Sequence, residues 1–264
     1  MEIVNVRARQ GWSWITQALR VFRRAPLTWV VVVLMLLFIG AALAKLSLIG
    51  PLIFALLTPI FTAGLMLACR DVEAGKPLQV SYLFRGFQQN AAQLIAIGGV
   101  YVVGQVVISA VLFSLGGEDL RAALKVALEG TPDTDTGVQS NDRIVFAVIV
   151  AAALFIPLAM AVWFAPALVA LQNLSAIAAM KLSIRACLHN FPAMLIYTGA
   201  IAGMLFALVT LLQLVLGSAP GLSFVRGPAH LGALTVWMTL TLISLYTSYR
   251  DLFVTVQPVP ATPA

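Results

Sequence analysis

The stretch "IVFAVIVAAALFIPLAMAVWFAPALVALQNLSAIAAM", residues 144–180, contains no charged side chain. A second uncharged run extends from Asn190 to Val225, and the basic island "MKLSIRACLHNFP", residues 180–192, separates the two. A hydrocarbon layer about 30 Å thick needs roughly 20 apolar residues per helical crossing. Each run therefore has room for a span, and the island marks where the chain surfaces between them. Neither run shows the polar stripe at helical period that a soluble amphipathic helix would carry.

Working outward, six such apolar stretches occur, at approximately 27–44, 48–69, 91–115, 144–171, 191–216 and 231–248. Over all 264 residues, 61% are hydrophobic, only 10% are charged, and the mean hydropathy is +0.99. Soluble domains carry about 25% charged residues, so lipid is the solvent for most of this chain. The first stretch follows a basic segment, Arg7 to Arg24, as a signal peptide would. At 18 residues it exceeds an apolar signal region of about 7 to 15, and further spans follow, so it is read as retained.

The short loops are charged asymmetrically. With the N-terminus inside, eleven Lys and Arg fall on the inner side and five on the outer, which predicts both termini to be cytoplasmic. The net charge of +6 then describes a membrane-facing inner surface that would meet anionic lipid, with no nucleic-acid partner implied. Cys69 and Cys187 fall at predicted inner helix ends, where thiols stay reduced, so no disulfide is expected.

A short amphipathic segment precedes each odd-numbered span. Trp12, Ile15, Leu19 and Phe22 oppose Ser13, Gln17, Arg20 and Arg24 in the first. Val80, Leu83, Phe84 and Phe87 oppose Ser81, Arg85 and Gln88 in the second, and Ile177, Met180, Ile184 and Cys187 oppose Lys181, Arg185 and His189 in the third. Basic amphipathic helices of this kind lie in the headgroup plane. The entries into the membrane align as "LRVFRRAPLTWVV" from Leu19, "FRGFQQNAAQLIA" from Phe84 and "IRACLHNFPAMLI" from Ile184. The even-numbered spans close on "LACRD" at 67–71, "VALQN" at 169–173 and "TSYRD" at 247–251.

The fold predicted is all-α and polytopic: six transmembrane helices as three hairpins, each preceded by a cytoplasmic amphipathic helix, in one membrane domain over 1–264. The repeat units run about 10–71, 78–173 and 175–251, all in one orientation because each holds two spans. An extracytoplasmic loop is expected at 116–143, including a short helix from Glu118 to Leu128 stopped by Gly130, and a flexible cytoplasmic tail at 252–264. In that loop Asp133, Asp135 and Gly137 hint at a calcium loop, but its twelfth position is Ile144 where a glutamate is needed, which excludes it.

Catalytic machinery is hard to assemble from these residues. The only histidines, His189 and His230, are predicted on opposite sides of the membrane, and no Gly-rich phosphate loop or His-Glu-x-x-His motif occurs. No carboxylate lies inside a span to act as acid, base or proton carrier. No enzyme activity, metal or cofactor is expected. Gln105 is the most central strongly polar side chain and is read first as a hydrogen bond between helices. At the inner face, Asp71 and Asp251 sit at helix C-termini, where the dipole disfavours an acid unless a cation is near. Arg20, Arg85 and Arg185 could supply one, with Lys181 beside them, or all could meet lipid headgroups.

The stretches "GWSWITQALRVFRRAP", "GLMLACRDVEAGKPLQVSYLFRGF", "AMKLSIRACLHNFPAML" and "YTSYRDLF" resemble a family of uncharacterised six-span inner-membrane proteins of betaproteobacteria. More distantly the chain is similar to the membrane domain of some bacterial glycerophosphodiester phosphodiesterases, without their hydrolase domain. The resemblance implies a fold and an inner-membrane location and transfers no catalytic residue. Two functions remain in view, a non-enzymatic scaffold or accessory protein on anionic lipid and a transporter or channel for a small molecule. A polar cavity lined by Gln105 would favour transport, and a core packed with Leu, Ala and Gly would favour the scaffold. Protein partners are not identified, and an oligomer is compatible with the sequence.

Overall fold

The computed structural model describes residues 2–47, 49–129, 141–217 and 223–254. Most of the polar loop after the Glu118 helix, with Gly130, Asp133, Asp135 and Gly137, lies outside the described residues, as do 255–264 of the expected tail. The fold is all-α. Among the described residues six helices are long and apolar enough to cross a membrane, as the absence of water in a bilayer requires, because a helix satisfies its own backbone N–H and C=O groups there.

The first unit comprises α1 (Gln10–Phe22), α2 (Pro26–Ala44) and α3 (Ile49–Glu73). The second comprises α4 (Tyr82–Arg85), a 3-10 turn (Gly86–Gln88), α5 (Ala91–Glu129), α6 (Asn141–Trp163) and α7 (Ala165–Gln172). The third comprises α8 (Ala176–His189), α9 (Phe191–Gly217) and α10 (Ser223–Leu252). Two short strands, β1 (Glu2–Ile3) and β2 (Phe253–Val254), pair antiparallel. The tail therefore departs later than the predicted residue 252, because Leu252 closes α10 and 253–254 join β1.

Local chemistry sets the helix ends. Gly75 adopts φ 84 and stops α3, returning the Lys76 N–H to the Asp71 carbonyl at 2.9 Å. Gly117, at φ 56, kinks α5 where the sequence separates the third span from the Glu118 helix. Phe164 interrupts α6 before Pro166, which cannot donate to the preceding turn. Ser183 of α8 repairs the break: it accepts from the Phe164 N–H at 3.0 Å and donates to the Met160 carbonyl at 2.6 Å. The sixth span begins earlier than predicted. Arg226 folds back from the first turns of α10 onto the last carbonyls of α9, Leu216 at 2.7 Å and Gly217 at 2.9 Å, so the charge is used as a helix cap.

The surface helices pack mainly on elements outside their own hairpins. Helix α4 packs chiefly on α3, α8 on α6 and α7, and α1 on α10 and α9. Each rests on the closing span of the unit before it, and α1 closes the ring against the last. These crossings are tight: a Cβ on Gly86 would fall 1.9 Å from the Ile60 carbonyl oxygen, one on Gly64 2.3 Å from that of Tyr82, and one on Gly11 2.3 Å from that of Ala193. The second surface helix is correspondingly reduced to one turn plus the 3-10 segment.

Gly86→Ala should therefore cost about 1–3 kcal/mol, the usual penalty for forcing extra volume into a packed contact, read as a lower thermal unfolding midpoint in detergent. Gly99→Ala is the control. Its added Cβ meets nothing within 4 Å and it should be neutral or slightly stabilising.

Candidate functional site

All three surface helices meet at one face of the bundle, with the C-terminal ends of α3, α7 and α10. Asp71, in the last turn of α3, has a side chain only 7% exposed and surrounded by donors. Tyr82 Oη donates to its Oδ2 at 2.8 Å. Arg70 reaches Oδ1 at 3.1 Å, Lys76 reaches Oδ2 at 3.5 Å and Arg85 reaches Oδ2 at 3.6 Å. The Arg85 guanidinium also lies 3.7 Å over the Tyr82 ring, a cation–π contact that fixes both side chains of α4. Burial, together with the Asp71 carboxylate, pushes the Tyr82 phenol above its usual range, so it remains a donor.

Asp251 holds α1 in the same manner with different groups. Its Oδ2 accepts from Gln10 Nε2 at 2.7 Å, Trp14 Nε1 at 3.2 Å and Gln17 Nε2 at 3.2 Å, and its Oδ1 from Arg250 Nη2 at 3.3 Å. Thr247 Oγ1 adds a bond to the Trp14 carbonyl at 2.9 Å. Glu73, two residues after Asp71 on α3, pairs with Arg250 and accepts from Tyr246 Oη at 3.0 Å, which ties α3 to α10. Arg24 covers the adjacent end of α3, donating to the carbonyls of Val72 at 2.8 Å and Glu73 at 2.9 Å, a favourable place for a cation at a helix C-terminus.

Of the three arginines offered by the sequence, the structure brings only Arg85 to a carboxylate. Arg20, Lys181 and Arg185 are exposed and make no ion pair with the described residues. Asp251 meets neither Arg20 nor Arg185. Its cation is Arg250, its own chain neighbour, and its other partners are the neutral Gln10, Trp14 and Gln17. Gln105 is also corrected: its Nε2 donates to Tyr101 Oη at 2.8 Å, one turn back on α5, and the bond does not cross between helices.

The apolar stripes are corrected too. The protein-facing stripe of α1 is Gly11, Trp14, Ile15, Ala18 and Val21, while Trp12 is 54% exposed. That of α8 is Ala176, Ala179, Ser183, Ala186 and Cys187, while Ile177 is 65% and Leu188 59% exposed. At 100° per residue each helix thus carries three faces: small or aromatic residues toward the protein, large apolar residues outward, and Arg20 or Lys181 and Arg185 beside those. A sequence stripe of period 3.6 registers apolarity and cannot divide it between protein and lipid.

Sequence reasoning missed Glu73, Tyr82, Arg24, Gln10, Gln17 and Asn190. Asn190 binds the N-terminal segment, its Oδ1 accepting from the Val6 N–H at 2.8 Å and its Nδ2 donating to the Val4 carbonyl at 3.1 Å. A signal was present, because Asn190 aligns with Asn90 in the quoted repeats, and Asn90 Nδ2 bonds Asn173 Oδ1 at 2.5 Å.

A cavity of about 490 Å3 lies between the spans, walled by α3, α5, α6, α7, α9 and α10, hence by all three units. Tyr101 lines it and Gln105 does not. A shallow concavity at the surface-helix face is formed by Ile3, Arg185, Leu188 and His189. Among the described residues no group of three or more His, Cys, Asp or Glu is placed to hold a metal.

Asp71→Ala should lower stability by about 1–3 kcal/mol by orphaning Tyr82 and its cations, measured as the unfolding midpoint. Charge reversal, Asp71→Lys, should be partly rescued by Arg85→Asp and not by Arg20→Asp or Arg185→Asp. A separate prediction concerns the thiols. Cys69 and Cys187 are buried and free, and burial pushes the Cys187 thiol up to about 12. Maleimide should label neither in the folded protein and both after denaturation.

No protein-family model and no solved structure matches the chain. A probable inner membrane protein of Burkholderia thailandensis is 29% identical, with the alignment covering 98% of this chain and 96% of the relative. The likeness to the membrane domain of glycerophosphodiester phosphodiesterases has no counterpart in these comparisons. Six membrane-capable helices and a full-length inner-membrane relative identify an integral inner-membrane protein.

Proposed function

We propose that this protein is a non-enzymatic scaffold or accessory protein of the inner membrane, with its termini and surface helices on the cytoplasmic side, where it rests on anionic lipid. The observation that carries this reading is the pairing of free cations with outward apolar side chains on the surface helices. Arg20 accompanies Trp12 on α1, and Lys181 and Arg185 accompany Ile177 and Leu188 on α8. An interfacial helix presents this combination to a membrane: the apolar row enters the acyl boundary and the cations meet phosphates. Three acids of this face, Asp71, Glu73 and Asp251, are paired internally, and of its acids only Glu2 is exposed among the described residues, which leaves a net positive charge facing outward.

A second reading, a transporter or channel for a small molecule, is favoured by the cavity between the spans. Its walls are mainly apolar, which suits a membrane-borne molecule better than an ion.

Each free cation near an anionic surface is worth about 1 kcal/mol. The wild-type protein should therefore be more heat-stable in nanodiscs containing phosphatidylglycerol than in pure phosphatidylcholine, and Arg20→Gln/Lys181→Gln/Arg185→Gln should close most of that gap. An unchanged gap in the triple variant would reject the proposed lipid contact.

A further inference from the structure

The cavity between the spans is elongated along them. Its wall extends from Tyr197 and Leu245 to Phe54 and Phe155. Tyr197 is six residues into α9 and Leu245 seven before the end of α10, about 10 Å below the surface-helix face at 1.5 Å per residue. Phe54 lies 19 residues before the end of α3, about 28 Å below it. The space thus runs roughly parallel to the membrane normal for a distance comparable to one leaflet, about 15 Å.

Water is a poor occupant. A space of this size would hold on the order of ten waters or more at about 30 Å3 each, and each buried water needs about three hydrogen bonds. The wall hydroxyls are largely engaged. Thr58 donates to the Phe54 carbonyl at 2.8 Å, Thr62 to that of Thr58 at 2.9 Å, and Thr241 to that of Trp237 at 2.9 Å, while Tyr197 Oη is shared with Ser244 at 2.7 Å. Tyr101 Oη accepts from Gln105, and its own O–H finds no acceptor among the described residues. Pro59 and Pro166 also leave the carbonyls of Ala55 and Val162 without an amide partner. Trp163 Nε1 is also buried without a partner among the described residues, and four such scattered atoms cannot support a water column.

The wall is most loosely packed between α6 and the third hairpin. Helix α3 packs closely on α5 and α7, and α9 on α10, whereas α6 makes no extensive contact with α9 or α10. Trp163 and Tyr197 meet edge to face across this seam, ring centroids 6.1 Å apart, at its end nearest the surface helices. Below that bridge the seam offers lateral entry from the bilayer.

From length, dryness and side access together, we infer that this cavity binds one acyl chain of a membrane lipid, which enters between the second and third hairpins and lies against Thr58, Tyr101 and Ala159. The site is separate from the headgroup contacts of the surface helices, since it reads the chain and they read the charge.

The test is native mass spectrometry of protein purified through exhaustive detergent exchange, then re-exposed to phosphatidylglycerol. Wild type should retain one lipid. Ala159→Phe, which fills the cavity, should lose it, and Ala153→Phe, on an exposed face of α6 about 120° round from Ala159, should keep it. A filled variant that retains the lipid as well as wild type overturns the inference. A wild type that retains none overturns it as well. Should Ala159→Phe fail to fold, wild type is photolysed in vesicles of a phosphatidylglycerol bearing a diazirine on its acyl chain. Adducts on residues 54–62 and 155–163 support the site, whereas adducts confined to outward-facing positions of the spans, with none on the lining residues, overturn it.

Discussion

A carboxylate at the C-terminal end of a membrane-spanning helix faces the negative end of the helix dipole, and it persists there only where donors crowd around it. Three such acids, Asp71, Glu73 and Asp251, lie at the ends of α3 and α10. Their donors come from elements that would otherwise be free to leave. Tyr82 and Arg85 bring α4 to Asp71, and Gln10, Trp14 and Gln17 bring α1 to Asp251. Because α1 is the first helix described and α10 the last, the second clamp also closes the bundle. The pairing of β1 with β2, and the grip of Asn190 on Val4 and Val6, reinforce the closure beside it.

The middle unit shows what replaces a charge when it is absent. Its closing segment has Gln172 and Asn173 where the others have arginine and aspartate. Gln172 Nε2 donates to Tyr249 Oη at 2.9 Å, and Asn173, in a left-handed conformation at φ 59, accepts from Asn90. Helix α8 is held mainly by other means: a stripe of small residues against α6 and α7, and Ser183 filling the gap at Phe164. Small residues permit close approach, and in lipid it is close packing more than apolarity that holds helices together. A neutral clamp suffices where packing is tight enough.

Much of the architecture was legible because lipid imposes length and composition on a span, and both are local properties of sequence. The six stretches, the kink near Gly117 and the amphipathic segments follow from that. Partner choice was not legible. Arg20, Arg85 and Arg185 look alike in the aligned repeats, yet only Arg85 reaches an acid, because α4 is a single turn pressed on α3 while α1 and α8 turn their basic rows outward. Likewise, Ile177 and Cys187 sit in one apolar stripe by period, but Cys187 faces α6 and Ile177 faces out. Which apolar residue meets protein depends on the neighbouring helix, and that neighbour belongs to another unit of the chain.

The cyclic hand-over of surface helices also bears on how the spans can move. A hairpin whose surface helix sits on its own span ends could tilt as an independent body. Here the tilt of any hairpin displaces the surface helix of the next, and through α1 and α10 the displacement returns to the first. The clamps at Asp71 and Asp251 therefore hold the ends of the spans near the surface helices at a fixed spacing. Relative motion is easiest where contacts between spans are sparse, along the seam between α6 and the third hairpin. Only the Trp163–Tyr197 ring contact bridges that seam edge to face among the described aromatic pairs, so this pair sits at the junction between the rigid end of the bundle and its most deformable wall.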